Sequence, residues 1–121
     1  MIAIVDDDES VRESTKALVR SLGYAARTFL SAEEFLRSDL DDTNCLILDV
    51  QMKGLSGIDL QERLIGEGRR MPIIFVTAVL DERIRNQVLE AGAIDILSKP
   101  FSDTRLAGCL VSALRGQQAH D

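Results

Sequence analysis

With 121 residues, the chain is long enough for one domain of ordinary size and too short for two. Its 45% hydrophobic and 28% charged residues are typical of a compact globular fold and exclude a disordered chain. The net charge of −6 argues against direct nucleic-acid binding, and we find neither a secretory signal nor an apolar run that could span a membrane.

Short apolar runs alternate with segments of helical spacing along the chain. In chain order the predicted elements are a strand at 2–5, a helix at 11–22, a strand at 24–29, a helix opening at 31–34, a strand at 45–48, a helix at 55–65, a strand at 72–76, a helix at 81–91, a strand at 94–97 and a helix at 103–114. The first helix has two candidate caps, a capping box that begins at Ser10 and the side chain of Asp8. Five strands alternating with five helices predict a doubly wound α/β fold, with a parallel sheet and helices on both faces.

Two cysteines, Cys45 and Cys109, are too few and too far apart for a metal site or a disulfide framework. Both lie among apolar residues. We therefore interpret them as buried, reduced thiols of a cytoplasmic protein.

Polar residues follow four of the predicted strands. They are Asp6 and Asp7 after the first strand, Asp49 after the third, Thr77 after the fourth and Lys99 after the fifth. Each one alone is more often a turn former, a helix cap or a solvated side chain. Ligand sites of open α/β sheets form at the carboxyl ends of the strands, so the five together predict one site.

The charges of these residues indicate what the site can hold. Two carboxylates about 4 Å apart repel by roughly 4 kcal/mol at an effective dielectric constant near 20, which favours recruitment of a cation. Ligands that are all oxygen select a hard cation, and Mg²⁺ is the expected one. A magnesium ion beside a carboxylate, a hydroxyl and a lysine is suited to phosphoryl transfer, with the carboxylate as nucleophile.

Five separated signatures resemble the receiver domain of two-component response regulators. They are Ile4-Val5-Asp6-Asp7, Leu48-Asp49, Met52 with Gly57, Val76-Thr77-Ala78 and Lys99-Pro100-Phe101. The resemblance covers residues 2–114, and the runs at 31–36 and 91–93 are most similar to the nitrogen-fixation, FixJ-like branch. It implies a flavodoxin-like (βα)5 fold with strand order 2-1-3-4-5 and a receiver domain over 1–115. Residues 116–121 then form a tail, where members of this branch continue into a helix-turn-helix output domain.

The resemblance also implies a role for each site residue. Asp49 is the expected phosphoacceptor, Asp6 and Asp7 the expected Mg²⁺ ligands, Gln51 the donor of a backbone carbonyl to the metal, Thr77 the switch hydroxyl and Lys99 the ion-pairing cation. The run Asp6-Asp7-Asp8 leaves the assignment of the two metal ligands open by one position, to Asp6 and Asp7 or to Asp7 and Asp8. Because the strand ends at Val5, the first pair is favoured. The Lys99–Pro100 bond is expected to be cis.

A sensor histidine kinase is the phosphoryl donor that the resemblance implies. The domain is then a signalling protein, and it acts as an enzyme only in assisting its own phosphorylation and dephosphorylation. The phosphorylated domain is expected to form a homodimer through its fourth helix, fifth strand and fifth helix.

Three features depart from the family pattern. Lys53 stands where the family usually has proline, and Ile96 stands where it usually has an aromatic switch residue. The loop after Thr77 is unusually apolar at Val79 and Leu80. We therefore expect this loop to be the moving element, and Ile96 to form a fixed apolar patch on the dimer surface.

Other functions are compatible with parts of the pattern. Residues 6–10 also fit the start of a haloacid-dehalogenase-like phosphatase with Asp6 as nucleophile, but that family needs a further acidic motif and a cap domain. A flavodoxin-like flavin carrier would need a loop of small and hydroxyl residues after the first strand, where this chain has three acids. A scaffold that no longer takes phosphate would not need all five site residues.

Overall fold

The computed structural model describes residues 1–118, and side chains within residues 1–115. The strands are β1 (Ile2–Val5), β2 (Ala26–Phe29), β3 (Cys45–Asp49), β4 (Ile73–Thr77) and β5 (Asp95–Ser98). The helices are α1 (Glu9–Ser21), α2 (Ala32–Leu36), α3 (Gly57–Gly66), α4 (Glu82–Glu90) and α5 (Asp103–Gln118), with a 3-10 helix at Leu40–Asp42.

All strand pairs are parallel, and the five strands lie in the order β2-β1-β3-β4-β5. This confirms the predicted doubly wound α/β fold and its strand order. Val5 pairs with Leu48, and Asp49 pairs with Val76. The register therefore brings the carboxyl ends of β1, β3 and β4 to the same edge of the sheet.

Two hydrophobic cores cover the two faces of the sheet, which explains why the strands are almost purely apolar. One core contains Phe35, Leu60 and Val88, so α2, α3 and α4 pack on that face. The other contains Val19 and Leu106, which come from α1 and α5. Helices therefore cover both faces, as predicted.

Both cysteines are buried free thiols, as expected from their apolar neighbours. Burial raises the pKa of the Cys45 thiol to about 12. Within residues 1–118, none of the helices is both long enough and apolar enough to cross a membrane.

Local details differ from the predictions where tertiary packing or capping decides them. Asp8, and not Ser10, caps α1, since its side chain accepts a hydrogen bond from the backbone N–H of Val11. The 3-10 helix after α2 was not predicted, because three residues are too short for a periodic signal.

Residues 116–118, the first part of the predicted tail, belong to the last helix in the structure. Helix α5 continues through Gln118, because adding residues to an established helix is much less costly than starting one. The remainder of the predicted tail, 119–121, lies outside the described residues.

Candidate functional site

The five predicted site residues meet at the carboxyl edge of the sheet. Asp6 and Asp7 directly follow β1, Asp49 ends β3, Thr77 ends β4, and Lys99 directly follows β5. Asp6, Asp49 and Thr77 are buried, with exposed fractions of 1%, 5% and 0%, while Asp7 is exposed. The prediction that these residues lie close together follows from the strand ends alone.

Lys99 joins the two buried carboxylates. Its Nζ lies 2.9 Å from Asp6 Oδ2 and 3.3 Å from Asp49 Oδ2. Its backbone N–H donates to the carbonyl of Thr77 at 2.8 Å, and the Lys99–Pro100 peptide bond is cis, as the resemblance implied. Burial would lower the pKa of Lys99, but the hydrogen bond to Asp6 and the nearby carboxylates outweigh it and raise the pKa. The ammonium group is therefore charged at neutral pH.

The environment of Asp49 disfavours its charge only moderately. Burial, followed by the neighbouring Asp6 carboxylate, raises the pKa of Asp49 to about 6, although Lys99 opposes both effects. The backbone N–H of Gln51 also donates to Asp49 Oδ1, at 3.3 Å. The carboxylate therefore remains mostly ionised at neutral pH.

A group of three acids could hold a metal ion. Asp6, Asp7 and Asp49 each offer a carboxylate oxygen, and these oxygens lie within 4.8 Å of one another. Asp7 Oδ2 also accepts a hydrogen bond from the backbone N–H of Lys53, at 3.2 Å. A proline at position 53 could not make this contact, because proline has no N–H. The oxygen-only set of ligands fits a hard cation such as Mg²⁺.

Asp8, the third acid of the run, caps a helix in the structure. The side chain of Asp8 is exposed and bound to the start of α1. Its backbone N–H donates to Asp6 Oδ1 at 2.9 Å, so Asp8 contacts the Asp6 carboxylate through its backbone and not through its own carboxylate. The grouped acids are therefore Asp6, Asp7 and Asp49.

Arg12 is a buried residue near the site that no sequence motif indicated. Its Nη1 donates to the backbone carbonyl of Asp6 at 2.9 Å, and only 8% of the residue is exposed. The contact holds the end of β1 where the two acids begin. A backbone acceptor leaves no sequence motif, so periodicity could not have revealed this role.

The Thr77 hydroxyl is bound to the loop that follows it. It donates to the carbonyl of Val79 at 3.0 Å and accepts from the backbone N–H of the same residue at 3.2 Å. The side chain of Val79 is 61% exposed, and that of Leu80 is 41% exposed. The loop is thus both apolar on its surface and tied to the end of β4.

The structure corrects the expectation for Ile96. This residue is 1% exposed and belongs to the core on the α2, α3 and α4 face of the sheet, next to Phe75 of β4. Alternation along β5 turns its side chain inward. Ile96 therefore cannot form an apolar patch on the surface.

Comparisons with known proteins agree with this geometry. A family model described as the response regulator receiver domain matches residues 2–110. Over 114 residues the chain is 42% identical to Nodulation protein W of Bradyrhizobium diazoefficiens, covering 93% of this chain and 50% of that protein. It is 34% identical over 114 residues to the transcriptional regulatory protein FixJ of Azorhizobium caulinodans, covering 93% and 54%.

Among solved structures, the response regulator StyR is similar with a TM-score of 0.89 at 39% identity. The match covers 98% of this chain and 63% of the StyR chain. The chain spans about half the length of the curated relatives that it matches.

Proposed function

Because the chain belongs to the response regulator receiver domain family, we propose that Asp49 accepts a phosphoryl group from a sensor histidine kinase. The observation that carries the proposal is the contact of the Lys99 ammonium with both Asp6 and Asp49, at 2.9 and 3.3 Å. This arrangement keeps a buried carboxylate ionised next to a fixed positive charge. Both are needed when a carboxylate attacks an anionic phosphoryl group.

In the proposed step, a carboxylate oxygen of Asp49 forms a bond to phosphorus. The bond from phosphorus to the histidine nitrogen of the donor breaks, and its electron pair stays on the nitrogen. The product is an acyl phosphate on Asp49. Lys99 stabilises the charge that develops on the phosphoryl oxygens, since its Nζ already lies against Asp49 Oδ2.

The residues expected to hold Mg²⁺ are Asp6, Asp7, Asp49 and, through its backbone carbonyl, Gln51. The grouping of three carboxylate oxygens within 4.8 Å supports this assignment. When bound, Mg²⁺ supplies positive charge that offsets the repulsion between the carboxylates and the incoming phosphoryl group. Asp6 is also restrained by Lys99 and by the backbone N–H of Asp8, so its carboxylate is oriented in advance.

The proposed switch begins at Thr77. The Thr77 hydroxyl makes two hydrogen bonds to the backbone of Val79. It must break them in order to bind a phosphoryl group on Asp49. Release of these contacts would free the loop that carries Val79 and Leu80, at the start of α4.

We infer that the activated domain forms a homodimer through α4, β5 and α5. The exposed apolar side chains of Leu80, Ile94 and Val111 support a contact surface there.

The proposed output belongs to a longer protein. Relatives such as FixJ are transcriptional regulatory proteins, and this chain matches about half of their length. A receiver that controls transcription through a further domain is therefore the proposed cellular role. The acidic balance of the chain supports a signalling role over direct DNA contact by this domain.

Intact-mass measurement after incubation with acetyl phosphate and Mg²⁺ tests the phosphoacceptor assignment. We expect a gain of one phosphoryl group in the wild type and none in Asp49→Asn or after chelation of the metal. Peptide mapping then separates the receiver from the phosphatase alternative, in which Asp6 would carry the phosphoryl group. A full mass gain in Asp49→Asn would refute the assignment.

A further inference from the structure

Glu33 connects the first turn of α2 to the loop that follows the phosphoacceptor. Its Oε2 accepts a hydrogen bond from the backbone N–H of Leu55 at 3.3 Å, across 22 positions of sequence. The same oxygen lies against Gly54, where an added Cβ would sit only 2.4 Å from it. Gly54 has a φ of +77°, so glycine is favoured there for its backbone conformation as well as for the space that the carboxylate needs.

The loop that Glu33 contacts joins Asp49 to α3 and carries parts of the proposed metal site. It contains Gln51, whose backbone carbonyl is an expected metal ligand, and its Lys53 N–H donates to Asp7 Oδ2. The loop lies outside the regular helices and strands. Its position therefore depends on contacts such as the one that Glu33 makes.

The second oxygen of this carboxylate is enclosed by the protein. Among the described residues, Glu33 Oε1 is buried and has no hydrogen-bond partner. An unpaired buried carboxylate oxygen is unfavourable, so other interactions of the side chain must compensate for it. The fit against Gly54 and the bond to Leu55 are the interactions that the structure provides.

Capping of α2 does not explain Glu33, because other residues perform that task. Ser31 accepts a hydrogen bond from the backbone N–H of Glu34, and Glu34 Oε2 accepts one from the backbone N–H of Leu30. Glu34 therefore provides a control on the same short helix. Like Glu33 it accepts one hydrogen bond from a backbone N–H, but that N–H belongs to Leu30 and not to the loop after Asp49.

We propose that Glu33 is a positioning residue for the phosphoacceptor site. By holding Gly54 and Leu55, it fixes the loop that brings Gln51 and Lys53 to the metal-binding carboxylates. The inference rests on the proposed function, because it assigns Glu33 a role in Mg²⁺ binding at that site. It goes beyond the family signatures, in which Glu33 has no assigned role.

The experiment compares Mg²⁺ affinity, by titration calorimetry, in Glu33→Ala, Glu33→Asp, Glu33→Gln and Glu34→Ala. Loss of a residue that orients metal ligands typically weakens binding by about ten-fold or more, which we expect for Glu33→Ala. Glu33→Asp should weaken binding too, because its shorter side chain cannot reach Leu55. Glu33→Asp keeps the negative charge, so it still tests the positioning role if Glu33→Ala does not fold. Glu33→Gln should restore nearly normal affinity, since its amide oxygen accepts the same hydrogen bond.

Amide hydrogen exchange, followed on peptides that cover residues 50–56, provides a readout independent of the metal. Exchange should be faster in Glu33→Ala and Glu33→Asp, and unchanged in Glu34→Ala and Glu33→Gln. Equal Mg²⁺ affinities of Glu33→Asp and wild type, or no restoration by Glu33→Gln, would overturn the inference. A wild type that binds Mg²⁺ but gains no phosphoryl group on Asp49 would refute the proposed function alone.

Discussion

Gly57 approaches Asp49 so closely that a Cβ on Gly57 would lie 2.2 Å from the backbone carbonyl oxygen of Asp49. Its N–H donates to the carbonyl of Val50 at 2.9 Å, so the first residue of α3 lies directly against the chain at Asp49, the proposed phosphoacceptor. The capping box of Ser56 and Asp59 fixes the start of the helix at this point. The backbone of Asp49 therefore leaves no room for a side chain at position 57, which explains the glycine of the family signature.

The first prediction follows from this contact. Gly57→Ala should destabilise the domain by about 1–3 kcal/mol, because the methyl group must displace backbone around Asp49. It should also slow phosphorylation, since the phosphoacceptor moves with that backbone. Urea unfolding and the time course of the mass gain measure the two effects.

Gly66→Ala is the control, because a Cβ at Gly66 meets no atom within 4 Å. It should be neutral or stabilising by up to about 1 kcal/mol. Equal behaviour of the two variants would contradict the steric explanation.

The second prediction concerns the cation between the two buried acids. Lys99→Met should slow phosphorylation of Asp49 by about ten-fold or more, because one stabilising charge on the phosphoryl oxygens is lost. The variant should also have a lower melting temperature without metal, since Asp6 and Asp49 lose their shared partner. Added Mg²⁺ should recover part of that loss.

Lys53→Met is the control: it removes the same charge from an exposed side chain and keeps the backbone N–H that contacts Asp7. If it slows phosphorylation as much as Lys99→Met, net charge is the cause.

Much of the site could be predicted from sequence because its acids and its lysine stand at strand ends. Asp6, Asp49 and Lys99 each follow an apolar run, and parallel strands bring such positions together. Arg12 and Glu33 could not be found in this way. Arg12 binds a backbone carbonyl six residues away, and Glu33 binds a backbone N–H 22 residues away, and neither contact belongs to a periodic pattern.

The fold was predicted well where a segment is long and periodic, and less well elsewhere. The strand order followed from the resemblance, and the two-sided burial followed from the apolar strands. The expectation that Ile96 forms an apolar patch on the dimer surface is wrong, because Ile96 lies in the core with Phe75 of β4 and Val88 of α4. The next residue, Leu97, is buried in the core on the opposite face, so helices cover both faces of this edge strand. How far helices cover an edge strand depends on tertiary packing, which the sequence alone left open.

The third prediction uses the pKa of Cys45. Burial raises that pKa to about 12, and burial also raises the pKa of Cys109, so both thiols are protonated at neutral pH. Thiolate is the reactive form, so neither cysteine should react with a thiol reagent in the native domain at pH 8. Both should react after unfolding in urea. Labelling of the folded protein at the rate of a free thiol would contradict the burial of these groups.

The same shift has a consequence for stability at alkaline pH. A thiol whose folded pKa is raised stabilises the fold fully below the ordinary pKa of 9.0, and the contribution disappears as the pH rises toward 12. The free energy of unfolding should therefore fall between these values. Cys45→Ala should show a shallower decline over the same range, measured by urea unfolding at each pH. Identical slopes would show that other groups cause the alkaline loss.

The fourth prediction separates phosphorylation from switching. Thr77→Val keeps the shape of the side chain but removes the hydroxyl that binds the backbone of Val79. Asp49 should still gain a phosphoryl group, because Lys99 and the acidic cluster are unchanged. The activated protein should no longer change its oligomeric state, whereas Thr77→Ser should behave as wild type. Loss of the mass gain in Thr77→Val would assign the hydroxyl to the transfer step instead.

The last prediction tests the dimer surface through two exposed leucines. Leu80 is 41% exposed in the loop before α4, and Leu30 is 56% exposed after β2, near the opposite edge of the sheet. Activation with the phosphoryl mimic beryllofluoride should convert the monomer to a dimer, measured by sedimentation velocity over a concentration series. Leu80→Ala should weaken that dimer by about ten-fold, because burial of part of a leucine side chain contributes about 1–2 kcal/mol. Leu30→Ala should leave it unchanged.

Ile96→Ala, in contrast, should act on the fold itself, because Ile96 is in the core. A dimer weakened by Leu30→Ala and not by Leu80→Ala would place the interface at the other edge of the sheet.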